Sequence, residues 1–334
     1  MILRTLKSNR SINLILFPVF GILLWLKSLV QPFSYEFFTG ESNNILFVPI
    51  NNIFGDLLFF RVLFSLIFVV FFAFVVQQFN DRYLFIRVRT KLPATLFVII
   101  VGGFTGLHTL HPVYPASIFL LFAIYFLFST LGKTKPYSSI FNTGFLLGIG
   151  SLFYFNLVVL FPAFLIGITI LIKNSKWREY VILLMGFLLP FIFAISYAVL
   201  SEQTLEILKT FEENIITPVN HFRTNIPLHL LLTYLILLTL AGSIKILQQY
   251  DSKKVSTRKY FTIFFVLFVF SMISFAFIPA TSQEMLVIIA IPVTYLISNY
   301  FVFMKSRFWG ELLFALLLAI VIFMQFSDKL ILNG

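Results

Sequence analysis

The chain has 334 residues, of which 60% are hydrophobic and 11% are charged, and it contains no cysteine. Water-soluble domains carry about 25% charged residues, so this composition excludes a water-soluble domain. The absence of cysteine excludes disulfides, thiolate metal sites and a cysteine nucleophile. The formal net charge of +11 would suit nucleic acid in a soluble protein, but in so apolar a chain it is first a signal of membrane topology.

Apolar runs recur from residue 12 to residue 327 with only short polar gaps between them. Runs that can cross about 30 Å of hydrocarbon predict an all-α polytopic membrane protein in which residues 1–334 form a single transmembrane domain. The first run follows basic residues but lacks a small-residue cleavage site, so we predict a retained span rather than a signal peptide. The predicted spans lie near 12–29, 60–78, 93–109, 114–131, 139–154, 157–172, 180–200, 228–247, 260–278, 285–304 and 309–327.

The distribution of basic residues predicts how these spans are oriented. The stretch 138–172 is almost unbroken and apolar, and it can form one long helix or two short ones that meet at Tyr154, Phe155 and Asn156. With two spans there, 19 of the 24 Lys and Arg residues fall on one side of the membrane. The positive-inside rule therefore predicts about eleven spans with a cytoplasmic N-terminus. A basic rim of this kind would contact anionic membrane lipids, and it does not require a nucleic-acid partner.

The first long outward loop, residues 30–59, mixes acids and amides with aromatic residues. Its acids are Glu36, Glu41 and Asp56. Such a loop can lie along the membrane interface with its carboxylates facing water or a bound head group. Arg61 follows at the start of the second span, and a guanidinium can bind phosphate through two hydrogen bonds. We therefore expect Arg61 to suit a lipid-linked phosphate substrate.

The connection between spans three and four carries two of the four histidines of the chain, His108 and His111. As metal ligands they would need further partners, and only His221 and His229 remain, so we predict neither a metal site nor another cofactor. Histidines at a helix end commonly hydrogen-bond backbone carbonyls or water. A place in a polar cavity that binds substrate is the alternative.

Glycines in the third and fifth spans have the spacing that lets membrane helices approach closely. They are Gly102, Gly103 and Gly106 in the one, and Gly144 and Gly148 in the other. We interpret both groups as packing surfaces.

The second long outward loop, residues 201–227, begins with an amphipathic stretch. Charged residues fall on one helical face and apolar residues on another, which predicts a helix lying on the membrane. The apolar face comprises Leu205, Leu208, Phe211 and Ile215. Beyond it, His221 and Arg223 lie just before the eighth span, and Arg223 is a second candidate for phosphate recognition. The alternative is an interfacial tether with a solvated acidic face.

The layout of residues 1–230 resembles the GT-C superfamily of polyprenyl-phosphate-sugar-dependent membrane glycosyltransferases. The shared features are a cytoplasmic N-terminus, long outward loops after spans one and seven, and tight outward hairpins between them. The stretch 142–153 is similar to the Gly-rich fifth helix of that family. The chain is also similar to uncharacterised bacterial multi-pass membrane proteins.

In that family a carboxylate of the first outward loop is the catalytic base, because the acceptor must lose a proton as it attacks the anomeric carbon of the sugar. The resemblance implies this role for Glu36 by position, with Glu41 and Asp56 as the other candidate carboxylates. His108 and His111 stand where the family often has acidic residues.

The resemblance implies a protein of the bacterial inner membrane that handles a polyprenyl-phosphate-linked sugar or glycan at the periplasmic face. One alternative is an O-antigen-type polysaccharide polymerase or ligase, which would depend on Arg61 and Arg223 rather than on Glu36. The other alternative is a non-catalytic scaffold or assembly subunit of an envelope machine, with envelope proteins as partners. The candidate substrate-binding residues are Arg61, His108, His111, His221 and Arg223.

Overall fold

The computed structural model describes residues 2–7, 13–33, 39–217, 226–249, 253–281 and 283–331. Within these ranges the chain forms α-helices, two 3₁₀ turns at Thr105–His108 and Phe155–Leu160, and no strand. The helices are α1 (Ile2–Lys7), α2 (Asn13–Val30), α3 (Thr39–Ser42), α4 (Val48–Phe54), α5 (Leu58–Tyr83), α6 (Leu92–Gly102), α7 (Val113–Phe128), α8 (Tyr137–Phe153), α9 (Phe161–Leu171), α10 (Trp177–Leu200), α11 (Thr204–Ile216), α12 (Ile226–Gln248), α13 (Val255–Phe277), α14 (Met285–Val302) and α15 (Arg307–Ile331). The predicted all-α fold class is confirmed.

Six of the described helices are long and apolar enough to cross a membrane, namely α5, α10, α12, α13, α14 and α15. Shorter apolar helices are also present, with α2 before the first of the six and α6 and α7 between α5 and α10. By helix length and hydropathy the chain is therefore a multi-pass membrane protein. Each predicted span overlaps a helix, and the stretch 138–172 divides as predicted, because α8 ends at Phe153 and α9 begins at Phe161.

The connections between helices lie at the two ends of the bundle. At one end, Lys91 Nζ lies 3.0 Å from Asp81 Oδ2, and Lys259 Nζ donates to the carbonyl oxygen of Leu171 at 3.2 Å. We call this the basic end, because the connections 84–91, 129–136, 172–176 and 303–306 that meet there are rich in Lys and Arg. The opposite end, which we call the loop end, contains the described parts of the two long loops.

Helices α6 and α14 form the centre of the bundle. All eleven residues of α6 are buried, and α14 packs against α6, α12 and α13. At about 1.5 Å per residue, α6 covers about 16 Å, which is about half of the hydrocarbon thickness. The predicted span 93–109 was therefore too long. The helix ends at Gly102, whose carbonyl oxygen accepts from His108 Nε2 at 3.2 Å and from Gln325 Nε2 at 2.6 Å. Consequently the connection 103–112 begins deep in the bundle.

Helices α8 and α10 approach each other through glycines. A Cβ atom on Gly144 would lie 2.2 Å from the carbonyl oxygen of Leu183, and one on Gly148 would lie 2.4 Å from that of Phe187. On the facing helix, a Cβ atom on Gly186 would lie 2.4 Å from the carbonyl oxygen of Phe141. The predicted packing role of Gly144 and Gly148 is confirmed, because any side chain there would meet backbone.

Candidate functional site

A cluster of buried polar residues lies at the loop end, where the first loop meets the connections after α6, α8 and α13. We call it the loop-end cluster. Each of its side chains is at most 2% exposed. Buried polar groups have to be paired to be tolerated, so their partners define what the cluster can do. Its members are Glu41, Asn44, His111, Tyr154, Asn156, Asn214, Gln283 and Glu284.

Glu41 and His111 form the central pair of this cluster. His111 Nδ1 lies 2.9 Å from Glu41 Oε1, and His111 Nε2 lies 2.9 Å from the carbonyl oxygen of Gly106. Because a carbonyl can only accept, Nε2 carries a proton and donates it to Gly106. The contact on the other side of the ring then contains one proton, which lies either on Glu41 or on His111. The pair is therefore a carboxyl and an imidazole that share a proton away from water.

Glu284 brings a second carboxyl group to the pair. It immediately precedes α14, and its Oε1 accepts a hydrogen bond of 3.0 Å from the hydroxyl of Tyr154, which follows α8. The pKa of Glu41 is raised to about 7, first by burial and then by the negative charge of Glu284, while the hydrogen bond and charge of His111 act in the opposite direction. Burial lowers the pKa of His111, but the hydrogen bond and charge of Glu41, together with Glu284 and the Gly106 carbonyl, raise it overall. Because the pKa of each group is raised, the pair retains the shared proton near neutral pH.

Two asparagines fix the short helix α3 that carries Glu41. Asn44 Nδ2 donates to the carbonyl oxygen of Glu41 at 3.1 Å, and Asn214 Nδ2 donates to Asn44 Oδ1 at 3.3 Å. The backbone amide of Leu46 also donates to the carbonyl oxygen of Leu152 at 3.3 Å. The first loop is thereby attached to α8 and α11. A four-residue helix could not hold a carboxylate in place by itself.

Helix α11 confirms the predicted helix of the second long loop. Its buried side chains are the polar Thr210 and Asn214, whereas Leu205 is 82% exposed and Leu208 is 56% exposed. Phe211 stacks on Phe155 with ring centroids 4.9 Å apart. A helix that turns polar groups to the protein and leucines outward suits contact with lipid.

Asn156 and Gln283 complete the walls of the loop-end cluster. Asn156 lies beside Tyr154, and within the described part of the chain neither of its amide atoms has a hydrogen bond of regular geometry. Gln283 packs on the backbone of Gly106, where a Cβ atom would lie 2.8 Å from Gln283 Nε2. An unsatisfied buried polar group costs about 1–3 kcal/mol, so a polar ligand or water that completed the hydrogen bonds of Asn156 would be stabilising.

His108 points away from the loop-end cluster. Its Nδ1 lies 2.8 Å from Ser28 Oγ, its Nε2 lies 3.2 Å from the carbonyl oxygen of Gly102, and its ring stacks on Trp25 at 4.0 Å. Both ring nitrogens therefore have partners, and Ser28 and Trp25 tie the connection 103–112 to α2 while Gly102 ties it to the end of α6. The structure separates the two histidines that the sequence presents together. Across the described ranges, no three His, Asp or Glu side chains form a group that could hold a metal ion.

Arg61 and Asp56 lie at the other side of the first loop. The guanidinium of Arg61 donates to the carbonyl oxygen of Gly55 through Nε at 3.0 Å and to Asn51 Oδ1 through Nη2 at 2.6 Å. Asp56 is exposed at the turn before α5 and interacts with Arg61 electrostatically. The hydrogen bonds of Arg61 to Gly55 and Asn51 are thus made within its own loop. The remaining candidates, Glu36, His221 and Arg223, lie outside the described residues.

Substitution of Arg61 tests whether these contacts are structural. We expect Arg61→Gln to lower the free energy of unfolding by about 2 kcal/mol, because buried hydrogen bonds to a charged group are lost. Arg61→Lys is expected to lower the free energy of unfolding as well, since an ammonium cannot reproduce the two hydrogen bonds that the guanidinium donates to Gly55 and Asn51. Thermal unfolding of the purified protein in detergent measures both. Normal stability with a selective loss of substrate binding would instead assign Arg61 to phosphate recognition.

The sequence did not single out Glu284, Gln283, Tyr154 and Asn156 as site residues. Glu284 was visible as an acid in a short connection between two apolar spans, a place where a charge needs a specific partner. Tyr154 and Asn156 were visible only as the corner between two short helices. Their convergence with Glu41 depends on contacts between segments more than a hundred residues apart, which the pattern of one chain does not contain.

The chain belongs to the family of unknown function DUF6427, whose family model matches residues 38–332. Among curated proteins and among solved structures, none matches the chain.

Proposed function

For this member of the family, we propose a membrane transferase of the GT-C type that handles a polyprenyl-phosphate-linked sugar or glycan at the periplasmic face of a bacterial inner membrane. The observation that supports the proposal is the pair of Glu41 and His111, joined at 2.9 Å and buried beside Glu284. It combines a carboxylate of the first long loop with a side chain of the connection after α6. The resemblance implies a catalytic base in the first of these segments, and in the second this chain has histidines where the family often has acidic residues.

Glu41 is the general base in this proposal. When the shared proton lies on His111, Glu41 is a carboxylate that can take the proton of an acceptor hydroxyl as that oxygen attacks the anomeric carbon. The bond from the anomeric carbon to the phosphate oxygen breaks, and the lipid phosphate leaves with the bonding electrons. Taking up the proton leaves a positive charge on the pair, which the negative charge of Glu284 offsets. A pKa near neutrality suits this exchange, because the base is then both available and strong enough.

Substrate access requires movement of the first loop. Glu41 is 2% exposed, so an acceptor reaches its carboxylate only when α3 moves away from the connection 103–112. The hydrogen bonds that hold α3 run through Asn44, and they can be exchanged for bonds to a substrate. Binding would then assemble the reactive arrangement, as in enzymes that close on their substrates.

The experiment that tests the function is the analysis of lipid-linked glycans in a strain that lacks the chain. We expect such glycans to accumulate in the membrane fraction and to return to the normal level when the wild-type chain is supplied. Mass spectrometry of extracted lipids measures both quantities.

The orientation of the bundle is a separate prediction. The concentration of Lys and Arg at the basic end predicts that 79–92, 173–179 and 245–259 face the cytoplasm and that 30–59 and 201–227 face the periplasm. Reporter fusions that are active only in one compartment test each segment. A cytoplasmic signal from 201–227 would contradict the orientation and place the loop-end cluster on the wrong side for periplasmic chemistry.

The complete burial of the loop-end cluster favours a second candidate, a non-catalytic scaffold in which the cluster only fixes the first loop. In a scaffold, the hydrogen bonds of Glu41 matter but its ability to accept a proton does not. The two candidates therefore differ in their response to a substitution that keeps the bonds and removes the base.

A further inference from the structure

A cavity of about 510 Å³ opens at the basic end, between the connection 84–91 and the N-terminus of α13. Three of its lining residues are basic, and no described lining residue is acidic. Its floor contains two aromatic side chains, Tyr83 and Phe85, which stack with ring centroids 5.6 Å apart. The basic lining residues are Arg87, Lys253 and Lys254.

Lys253 is held at this cavity without a carboxylate partner among the described lining residues. Its Nζ donates to Asn299 Oδ1 at 2.9 Å and lies 4.9 Å from the centroid of the Phe303 ring. Burial lowers the pKa of Lys253 to about 8, because an ammonium is poorly solvated there. Asn299 is fully buried, and within the described residues its Nδ2 has no partner. A positive charge in such a place would be stabilised by an anion.

Asp81, the acid of the adjoining helix α5, already has two partners. Asp81 Oδ2 lies 3.0 Å from Lys91 Nζ, and its Oδ1 accepts from Gln77 Nε2 at 2.9 Å. Asp81 is therefore committed to a different cation. Since none of the described lining residues is acidic, an anionic ligand can supply the negative charge that they lack.

The start of α13 adds donors to the same cavity. Ser256 and Thr257 lie in the first turn of this 23-residue helix, and both line the cavity. The first backbone amides of a helix have no acceptor within the helix, and the helix dipole favours negative charge at this end. Hydroxyls, amides and cations on one wall form the donor set that binds phosphate oxygens.

We propose that this cavity binds the phosphate of an anionic phospholipid head group. The lipid source follows from position, because the cavity opens at an end of a transmembrane bundle, where head groups lie, and basic pockets between membrane helices hold such groups. Leu84, which is 53% exposed, extends the lining outward as an apolar surface for the adjoining part of the lipid. The site is independent of the transferase function and lies at the opposite end of the molecule.

Binding of short-chain lipids to the purified full-length protein in detergent tests the site. The probes are dihexanoyl phosphatidylglycerol, dihexanoyl phosphatidylcholine and inorganic phosphate, and the readouts are bound lipid by native mass spectrometry and the shift of the unfolding temperature. We expect phosphatidylglycerol to bind and phosphatidylcholine to bind at least tenfold more weakly. Each of Arg87→Gln, Lys253→Gln and Lys254→Gln should weaken binding about fivefold, since a cation near an anionic lipid surface contributes about 1 kcal/mol.

Matched variants at the same end separate the cavity from general basic charge. Lys133→Gln and Lys305→Gln remove the same charge outside the cavity lining and should leave binding unchanged, and Arg87→Lys should retain it. Equal binding of both lipids, or equal losses from lining and non-lining variants, would overturn the site. Stabilisation by inorganic phosphate without binding of phosphatidylglycerol would overturn the lipid assignment and leave a soluble phosphate compound as the ligand.

Discussion

Glu41→Gln is expected to abolish function while the protein folds normally. His111 Nε2 donates to Gly106, so Nδ1 can accept a hydrogen bond, and the amide of Gln can donate one at the position of Glu41 Oε1. The substitution therefore keeps the shape and the contact and removes the proton acceptor. Loss of a general base commonly costs between about 10²-fold and 10⁴-fold in rate. We expect lipid-linked glycans in the complemented strain to remain at the level of the deletion.

Two controls make this result interpretable. Glu206→Gln removes an exposed carboxylate from α11 at the same end of the molecule and should complement fully. His111→Phe breaks the shared hydrogen bond and should lower both stability and function. If Glu41→Gln folds normally and complements fully, Glu41 is not the base, and the scaffold becomes the better account of the same cluster.

The pH dependence of transfer provides a second signature of the pair. Since a base works in its unprotonated form, and burial beside Glu284 raises the pKa of Glu41 to about 7, activity should fall as pH drops through this value. The apparent pKa belongs to Glu41 and His111 together. Transfer assays with isolated membranes between pH 5.5 and 8.5 measure it. An activity that stays constant over this range would contradict the assignment.

Helix positions were predictable because hydrophobic length and charge are local properties of the chain. The division between α8 and α9 at Tyr154 followed from the positive-inside rule, although apolarity alone did not show it. The end of α6 was not predictable in the same way. The sequence through Gly102 remains apolar, and the helix ends where its last carbonyl accepts from a side chain of a distant helix, Gln325.

The candidate site was predictable only in part, for the same reason. Glu41 and His111 were both named from the sequence, but nothing in their spacing placed them 2.9 Å apart. His108 was named with equal justification, and it faces Trp25 instead. His108 lies in a 3₁₀ turn and His111 lies three residues later, after a bend, so the two rings contact different neighbours. Which partner each histidine has is therefore determined by tertiary packing.

Gly144→Ala should destabilise the protein although alanine is the better helix former. The added Cβ atom would lie 2.2 Å from the carbonyl oxygen of Leu183 and 2.9 Å from the backbone nitrogen of Phe187. Backbone atoms cannot rotate away, so α8 and α10 have to separate. We expect the free energy of unfolding to fall by about 2 kcal/mol, which outweighs the gain of about 1 kcal/mol from helix propensity. Thermal unfolding in detergent measures the difference.

Gly310→Ala is the matched control, since it makes the same change in a helix where the new atom meets flexible side chains. Its Cβ atom would lie 3.3 Å from Met304 Sδ and 3.4 Å from Leu3 Cδ2, which can shift at little cost. Equal stability of the two variants would show that α8 and α10 do not approach as closely as the structure has them. The clash at Gly144 also reaches the loop-end cluster, because α8 leads directly into Tyr154, whose hydroxyl holds Glu284. Gly144→Ala should therefore reduce transfer as well as stability, whereas Gly310→Ala should leave transfer unchanged and should keep or slightly raise stability.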